Sequence, residues 1–293
     1  MDHPEHKYLN IIQKILTQGT HRDDRTGVGT ISLFGEYMKI DVSETYPLLT
    51  TKRVFFRGVV EELLWMLRGE TDASILEAKN INIWNGNSTD PKYLERTGNT
   101  PYDIGPGYGF QLRHFGGDYT DIKSDGGVDQ LRYVLNEIQT NPTSRRIMWS
   151  YWNPKQMKDM CLPPCHYSYQ FYIADSTISC LMTQRSADFF LGVPFNIASV
   201  ALMTYIIAHV FHLKPGSINV SMGDVHLYST HIEQAKLQNS RNPYPFPTLS
   251  VLKDIPLVTT VDEKLKFIET LRYDDFRLQD YRYHPSIKAP MAV

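Results

Sequence analysis

The chain has 293 residues, 42% hydrophobic and 12% aromatic, enough to bury one large core or two small ones. A formal net charge of −2 and an isoelectric point near 6.5 give no global basic field, which disfavours an electrostatic nucleic-acid platform and means that any anion must be bound locally. Three cysteines, an odd number without framework spacing, point to a reducing compartment.

Residues 1 to 8 are polar and charged with no apolar run behind them, so the expectation is no secretory signal or spanning helix there, no membrane partner and a cytoplasmic address. Tyr8, Ile11, Ile12 and Ile15 follow helical spacing, with Gly19 as a stop. Ile31, Leu33, Met38, Ile40 and Val42 alternate like a strand interrupted at Phe34-Gly35-Glu36. A helix is predicted from Phe56 to Arg68, where Val59, Val60, Leu63, Leu64 and Leu67 form a wide apolar stripe and Gly69 ends it. Residues 85 to 126 are rich in Gly, Pro, Asn and Asp, which reads as long surface connections. Val128, Leu131, Val134, Leu135 and Ile138 share a face of a helix over 128 to 140.

After Pro142 the pattern turns to strands: Arg146 to Trp152, His166 to Ile173 and Thr177 to Gln184, the last two joined by a turn at Asp175-Ser176. The run from Asn196 to Leu213 is nearly all apolar and reads as a long central helix buried on most sides. A short strand near 218 to 222, a helix from about 226 to 239 and a polar, aromatic tail complete the chain. Strands and helices do not alternate regularly, there is no repeat or linker, and the expectation is one α+β domain over 1 to 293 with a mixed sheet.

Candidate chemistry begins at Leu162-Pro163-Pro164-Cys165-His166. Two prolines fix the backbone ahead of a single thiol, which suits a nucleophile, although a buried structural thiol is the ordinary alternative. His166 beside it favours a lowered thiol pKa. A zinc site from Cys161, Cys165 and His166 lacks a second ligand pair, so no metal is expected. Arg25, Arg145, Arg146 and Arg185 could bind a phosphate if they converge; singly, each reads as a surface arginine. On a strand, residues 145 and 146 point to opposite faces, so one subunit would struggle to aim both at one ligand. Glu62, at the edge of its apolar stripe, is either an exposed carboxylate or a buried proton carrier. Asn196 is either a helix N-cap or an amide able both to donate and to accept. His226 and Tyr228 read as residues at the start of a helix.

The Cys165 run, Gln184-Arg185-Ser186-Ala187-Asp188 and Gly192-Val193-Pro194-Phe195-Asn196-Ile197-Ala198-Ser199, with Arg25-Thr26-Gly27 and the terminal Met291-Ala292-Val293, together resemble the thymidylate synthase family over nearly the whole chain. The resemblance implies a dimer formed through the sheet and a nucleophilic Cys165. It implies that Arg25, Arg185 and Ser186, with Arg145 and Arg146 from the partner subunit, hold the phosphate of dUMP. Asn196 would read the uracil edge, His226 and Tyr228 would hold the sugar 3′-hydroxyl, and Glu62, Tyr108 and His166 would handle protons. Trp84, Asn87, Asp188, Gly192, Ala292 and Val293 would border the cosubstrate 5,10-methylenetetrahydrofolate, with residues 70 to 126 as a loop-rich subregion on the folate side. The alternatives are a uracil hydroxymethylase of the same superfamily, a cysteine hydrolase using Cys165 and His166, and a nucleic-acid-binding protein without catalysis.

Overall fold

The computed structural model describes residues 3–255 and 260–291. Helix α1 (His6–Gln18) buries Tyr8, Leu9, Ile11, Ile12 and Ile15, and the Gly19 N–H closes it on the Ile15 carbonyl. Just before it, Glu5 is fully buried, and its two carboxylate oxygens accept from the backbone and hydroxyl groups of Thr50 and Thr51 at 2.6–2.9 Å. Such full satisfaction is what lets a carboxylate leave water.

Strands β1 (Thr20–Arg22) and β2 (Thr30–Asp41) follow. The expected break at Phe34-Gly35-Glu36 is local: β2 runs through it, with Gly35 at φ +85° and Phe34 86% exposed. Helix α2 (Phe56–Leu67) lies where its apolar stripe predicts.

Between it and α7 (Gln130–Thr140) come α3 (Ser74–Glu77), α4 (Asn85–Ser88), α5 (Pro91–Thr97) and α6 (Tyr108–Arg113). Here the surface reading of 85 to 126 needs correction, because Tyr93, Ile104, Tyr108, Phe110 and Leu112 are buried. Gly109 lets α6 seat against Gly69-Glu70, where a Cβ would come 2.3 Å from the Glu70 carbonyl oxygen. Val128 lies outside α7 and is exposed.

Strand β3 (Met148–Ser150) is shorter than predicted, and β4 (His166–Ala174) and β5 (Thr177–Asp188) form the expected hairpin. Asp175 and Ser176 both take positive φ, the two-residue turn geometry that matches strand twist. Helix α8 (Gly192–Val210) connects β5 to the parallel β6 (Lys214–Tyr228). By length and composition α8 could span a bilayer, yet most of it is buried against β5, β6 and α2. Strand β6 corrects the expected short strand and the helix start at 226: α9 (Ile232–Asn239) begins only after a 3₁₀ turn at Ser229–His231. Strands β7 (Thr248–Val251) and β8 (Phe276–Gln279) pair apart from the main sheet, and α10 (Val261–Glu269) packs on α7 and α2.

The main sheet has the order β1-β2-β6-β5-β4-β3, mixed because β5 and β6 run parallel while the other pairs are antiparallel. Its two faces differ sharply. The row Met38, Val220, Met182 and Tyr169 is buried beneath the helices. One residue over, Tyr37, Ser221, Thr183 and Ser168 are half-buried or exposed, and so is Tyr172 further along β4. The fold is α+β with a long buried helix, as expected from the sequence.

Candidate active site

Cys165 lies in the turn just before β4, where three contacts fix it. Its N–H donates to the Tyr108 hydroxyl at 2.8 Å, and its carbonyl accepts from the Arg185 N–H at 2.8 Å. The Arg185 guanidinium then clamps the double-proline turn, Nε donating to the Pro164 carbonyl and Nη2 to that of Pro163, both at 2.9 Å. Burial pushes the thiol above its usual pKa, while the Arg185 charge and the Ser186 hydroxyl pull it back and the Asp188 carboxylate adds to the rise. The expected lowering by His166 is therefore corrected: burial dominates, and the nearby cation is Arg185.

His166 packs among aromatic side chains. Its Nδ1 meets the Tyr169 hydroxyl at 3.0 Å, and its ring stacks on Tyr108 at 4.4 Å between centroids. Burial lowers its pKa to about 4, so it is neutral near pH 7. A cysteine hydrolase would need this imidazole as a base hydrogen-bonded to the sulfur, and among the described residues no such bond joins His166 to Cys165.

Tyr108 is buried at the start of α6, and Trp84 packs edge-on against it at 5.9 Å. The Trp84 indole N–H donates to Glu62 Oε1 at 2.9 Å. Burial raises Glu62 to a pKa of about 7, with the indole bond opposing, which is the range a proton carrier needs at neutral pH. Glu62 is half-buried rather than exposed.

Asn196 lies in the second turn of α8, so it is no N-cap. Its Oδ1 accepts from Gln184 Nε2 at 3.0 Å, and the same Nε2 donates to the Ser186 carbonyl at 2.8 Å. A backbone carbonyl can only accept, so this chain of bonds sets which way round both amides sit. Gly192 opens space beside them, since a Cβ there would stand 3.5 Å from Asp188 Cβ and 3.8 Å from Asn196 Oδ1.

His226 and Tyr228 are on β6, a correction to their helical reading. His226 sits opposite Asp188 in register, and its Nδ1 meets Asp224 Oδ1 at 2.9 Å. Arg25 is exposed in a loop built on Asp24, whose carboxylate accepts from the Thr26 N–H and hydroxyl and from the Gly29 N–H. Those bonds, the Thr26 hydroxyl foremost, hold Asp24 below the usual carboxylate range. Between the Arg25 loop, Asn87 on α4 and Pro163 opens a cavity of about 770 Å³, where Lys92, Arg96 and Lys158 add positive charge.

Arg145 and Arg146 are not on a strand, which corrects the premise that they must point apart. They are exposed in the turn before the edge strand β3, and among the described residues their guanidinium groups make no hydrogen bond or ion pair. Among the described residues, no guanidinium contact joins them to the Cys165 cluster. Ala292 and Val293 lie outside the described residues.

Sequence reasoning named Asp224 beside His226 and Tyr228, gave Gln184 no role of its own, and missed Lys52. Lys52 is buried with its ammonium over the Phe190 ring and donating to the Phe190 carbonyl. Burial brings its pKa down to about 7, opposed by the Asp188 carboxylate. An apolar, aromatic neighbour was the available signal, but it lies 138 residues away in sequence.

A family model described as thymidylate synthase matches residues 6–293. The chain is 48% identical over 297 residues to the thymidylate synthase of equine herpesvirus 2 (strain 86/87), covering 99% of both proteins. It is 47% identical over 297 residues to the Homo sapiens thymidylate synthase, covering 99% of this chain and 91% of the relative. It is also 47% identical over 298 residues to the bifunctional dihydrofolate reductase-thymidylate synthase of Paramecium tetraurelia, of whose length it spans 62%.

Proposed function

This chain belongs to the thymidylate synthase family, and we propose that the Cys165 cluster is where it carries out the reductive methylation of dUMP to dTMP. The observation that carries this placement is the thiol itself, fixed by Tyr108 and Arg185 next to the oriented Gln184-Asn196 amides. C5 of uracil is a poor nucleophile until C6 is attacked. Addition of the Cys165 sulfur to C6 moves an electron pair into the ring and makes C5 an enolate carbon, with charge developing on O4. The Asn196 amide reads the uracil edge, and Glu62, Tyr108 and the neutral His166 handle protons. Arg25, Arg185 and Ser186 hold the phosphate, while His226, kept in one orientation by Asp224, and Tyr228 hold the 3′-hydroxyl.

The family's cosubstrate, 5,10-methylenetetrahydrofolate, supplies both the one-carbon unit and the hydride, and leaves as dihydrofolate. The residues on this side suit it: Trp84 and Asn87 supply a wall, Gly192 leaves room, and among the described residues only one carboxylate oxygen of Asp188, Oδ1, is engaged, by the Phe190 and Leu191 amides. The other is left to accept from a heterocyclic N–H. Exclusion of water by such a wall favours hydride transfer over hydroxymethylation.

The active unit is a homodimer that covers the open face of the sheet, so that Arg145 and Arg146 of one subunit reach the phosphate of the other. Two features support this: the face that leaves Tyr37 and Tyr172 exposed, and a pair of exposed arginines beside an edge strand whose guanidinium groups have no partner among the described residues. The whole chain acts as one catalytic domain in the cytoplasm, and neither a metal nor nucleic acid is required. Incubation with dUMP and 5,10-methylenetetrahydrofolate should yield dTMP and dihydrofolate in equal amounts. Accumulation of 5-hydroxymethyl-dUMP with tetrahydrofolate would instead support the hydroxymethylase.

A further inference from the structure

Residues 282 to 291 have no regular secondary structure, yet specific bonds tie them and the adjoining Tyr281 down. The Tyr281 hydroxyl accepts from the Val54 N–H at 2.9 Å and donates to the Leu49 carbonyl at 2.8 Å; the His284 N–H donates to the Thr50 carbonyl at 2.8 Å. Arg241 Nη1 donates to both Thr51 and Pro285 carbonyls. The last tie is His231 Nε2, which donates to the Pro290 carbonyl at 2.7 Å.

His231 is wholly buried, its ring against Phe190 and Tyr228 with centroids 5.5 Å away in each case. Because a carbonyl only accepts, Nε2 carries a proton and is the donor in this bond. Nδ1 has no hydrogen-bond partner among the described residues and stands 4.0 Å from Asp188 Oδ1. A buried polar atom without a partner is unfavourable, and a phenyl ring would fill the same space without one. What imidazole adds at this position is the donor to Pro290. A single side chain thus spans from the end of β5, where Asp188 sits, to the tail 59 residues further along the chain.

We propose that His231 is a positioning residue that latches the carboxy-terminal tail against the Asp188 side of the site, holding it there when the reduced folate binds. The folate part rests on the reading of Asp188 and the tail as its borders. Two variants of the full chain test it. His231→Phe keeps the bulk of the ring and removes the donor; His231→Gln keeps a donor. Three measurements are made on each: amide exchange across residues 287–291, KM and kcat with 5,10-methylenetetrahydrofolate, and binary dUMP affinity.

In His231→Phe, tail exchange and the folate KM should each rise about tenfold, the loss of one buried hydrogen bond, while dUMP affinity stays within about twofold. The Gln variant should recover most of both losses. Tail exchange in a folded His231→Phe equal to that of the unaltered protein would overturn the latch. Faster tail exchange with unchanged folate kinetics would uphold the latch and overturn the placement of the folate beside the tail.

Discussion

At Cys165 two opposed demands meet. Burial raises the thiol's pKa, and the Arg185 charge and Ser186 hydroxyl restrain it, so the resting site favours a thiol that is not spent on passing electrophiles. If phosphate and base contacts come from other residues, as proposed, Cys165→Ser should lose turnover while keeping dUMP affinity, as equilibrium binding and single-turnover assays would show. Glu62 carries the clearest pH signature. Its pKa is raised to about 7 by burial, so it takes up a proton as the pH falls through 7. If its ionised form accepts the proton lost from C5, kcat should fall on the acid side of pH 7, and Glu62→Gln should show a low, flat profile there. A variant that keeps the wild-type acid limb would assign that titration to another group. If Asn196 reads the base, as proposed, base choice depends on a residue one step removed, because Gln184 orients the Asn196 amide. In Gln184→Met the amide is free to turn over and meet cytosine's amino group and bare N3. The ratio of kcat/KM for dUMP to that for dCMP should then fall about tenfold, in keeping with one mispaired buried group.

Among the elements, α6 brings Tyr108 to Cys165 across 57 residues of sequence. Gly109 permits that seating, because a side chain would drive into the Glu70 carbonyl. Gly109→Ala should destabilise the fold by roughly 1–3 kcal/mol, as overpacking does, and lower kcat by displacing Tyr108; denaturant unfolding and steady-state kinetics would measure the two effects. Local patterns made some of the fold legible. The α2 stripe, the apolar length of α8 and the Asp175-Ser176 turn are signals carried by neighbouring residues. What could not be read depends on partners distant in sequence. Pro215-Gly216 and Gly223-Asp224 look like breaks, yet β6 continues through both because β2 and β5 flank it on either side. Turn-forming composition hid the buried residues of 85 to 126. The motifs pointed to Cys165, Arg185 and Asn196, whereas the ties from Gln184 to Asn196 and from His231 to Pro290 exist only once the chain has folded.

For the whole molecule, the decisive feature is the unequal burial of the sheet's two faces. A face bearing Tyr37 at 55% and Tyr172 at 70% exposure leaves two large aromatic side chains in water on a lone chain, and a symmetric partner would cover it with the same face. Arg145 and Arg146 lie in the turn before the strand at the sheet's edge, and among the described residues their guanidinium groups have no partner. If each site borrows them, an inactive Cys165→Ser subunit still lends its arginines to a partner, and an inactive Arg145→Ala subunit still offers its thiol. In the mixed dimer one of the two sites carries both intact groups. With random exchange of equal amounts, about half of all dimers are mixed, so activity should return to roughly a quarter of the wild-type level. Absence of recovery after exchange has been demonstrated by tag co-purification would mean that each site is built from one chain.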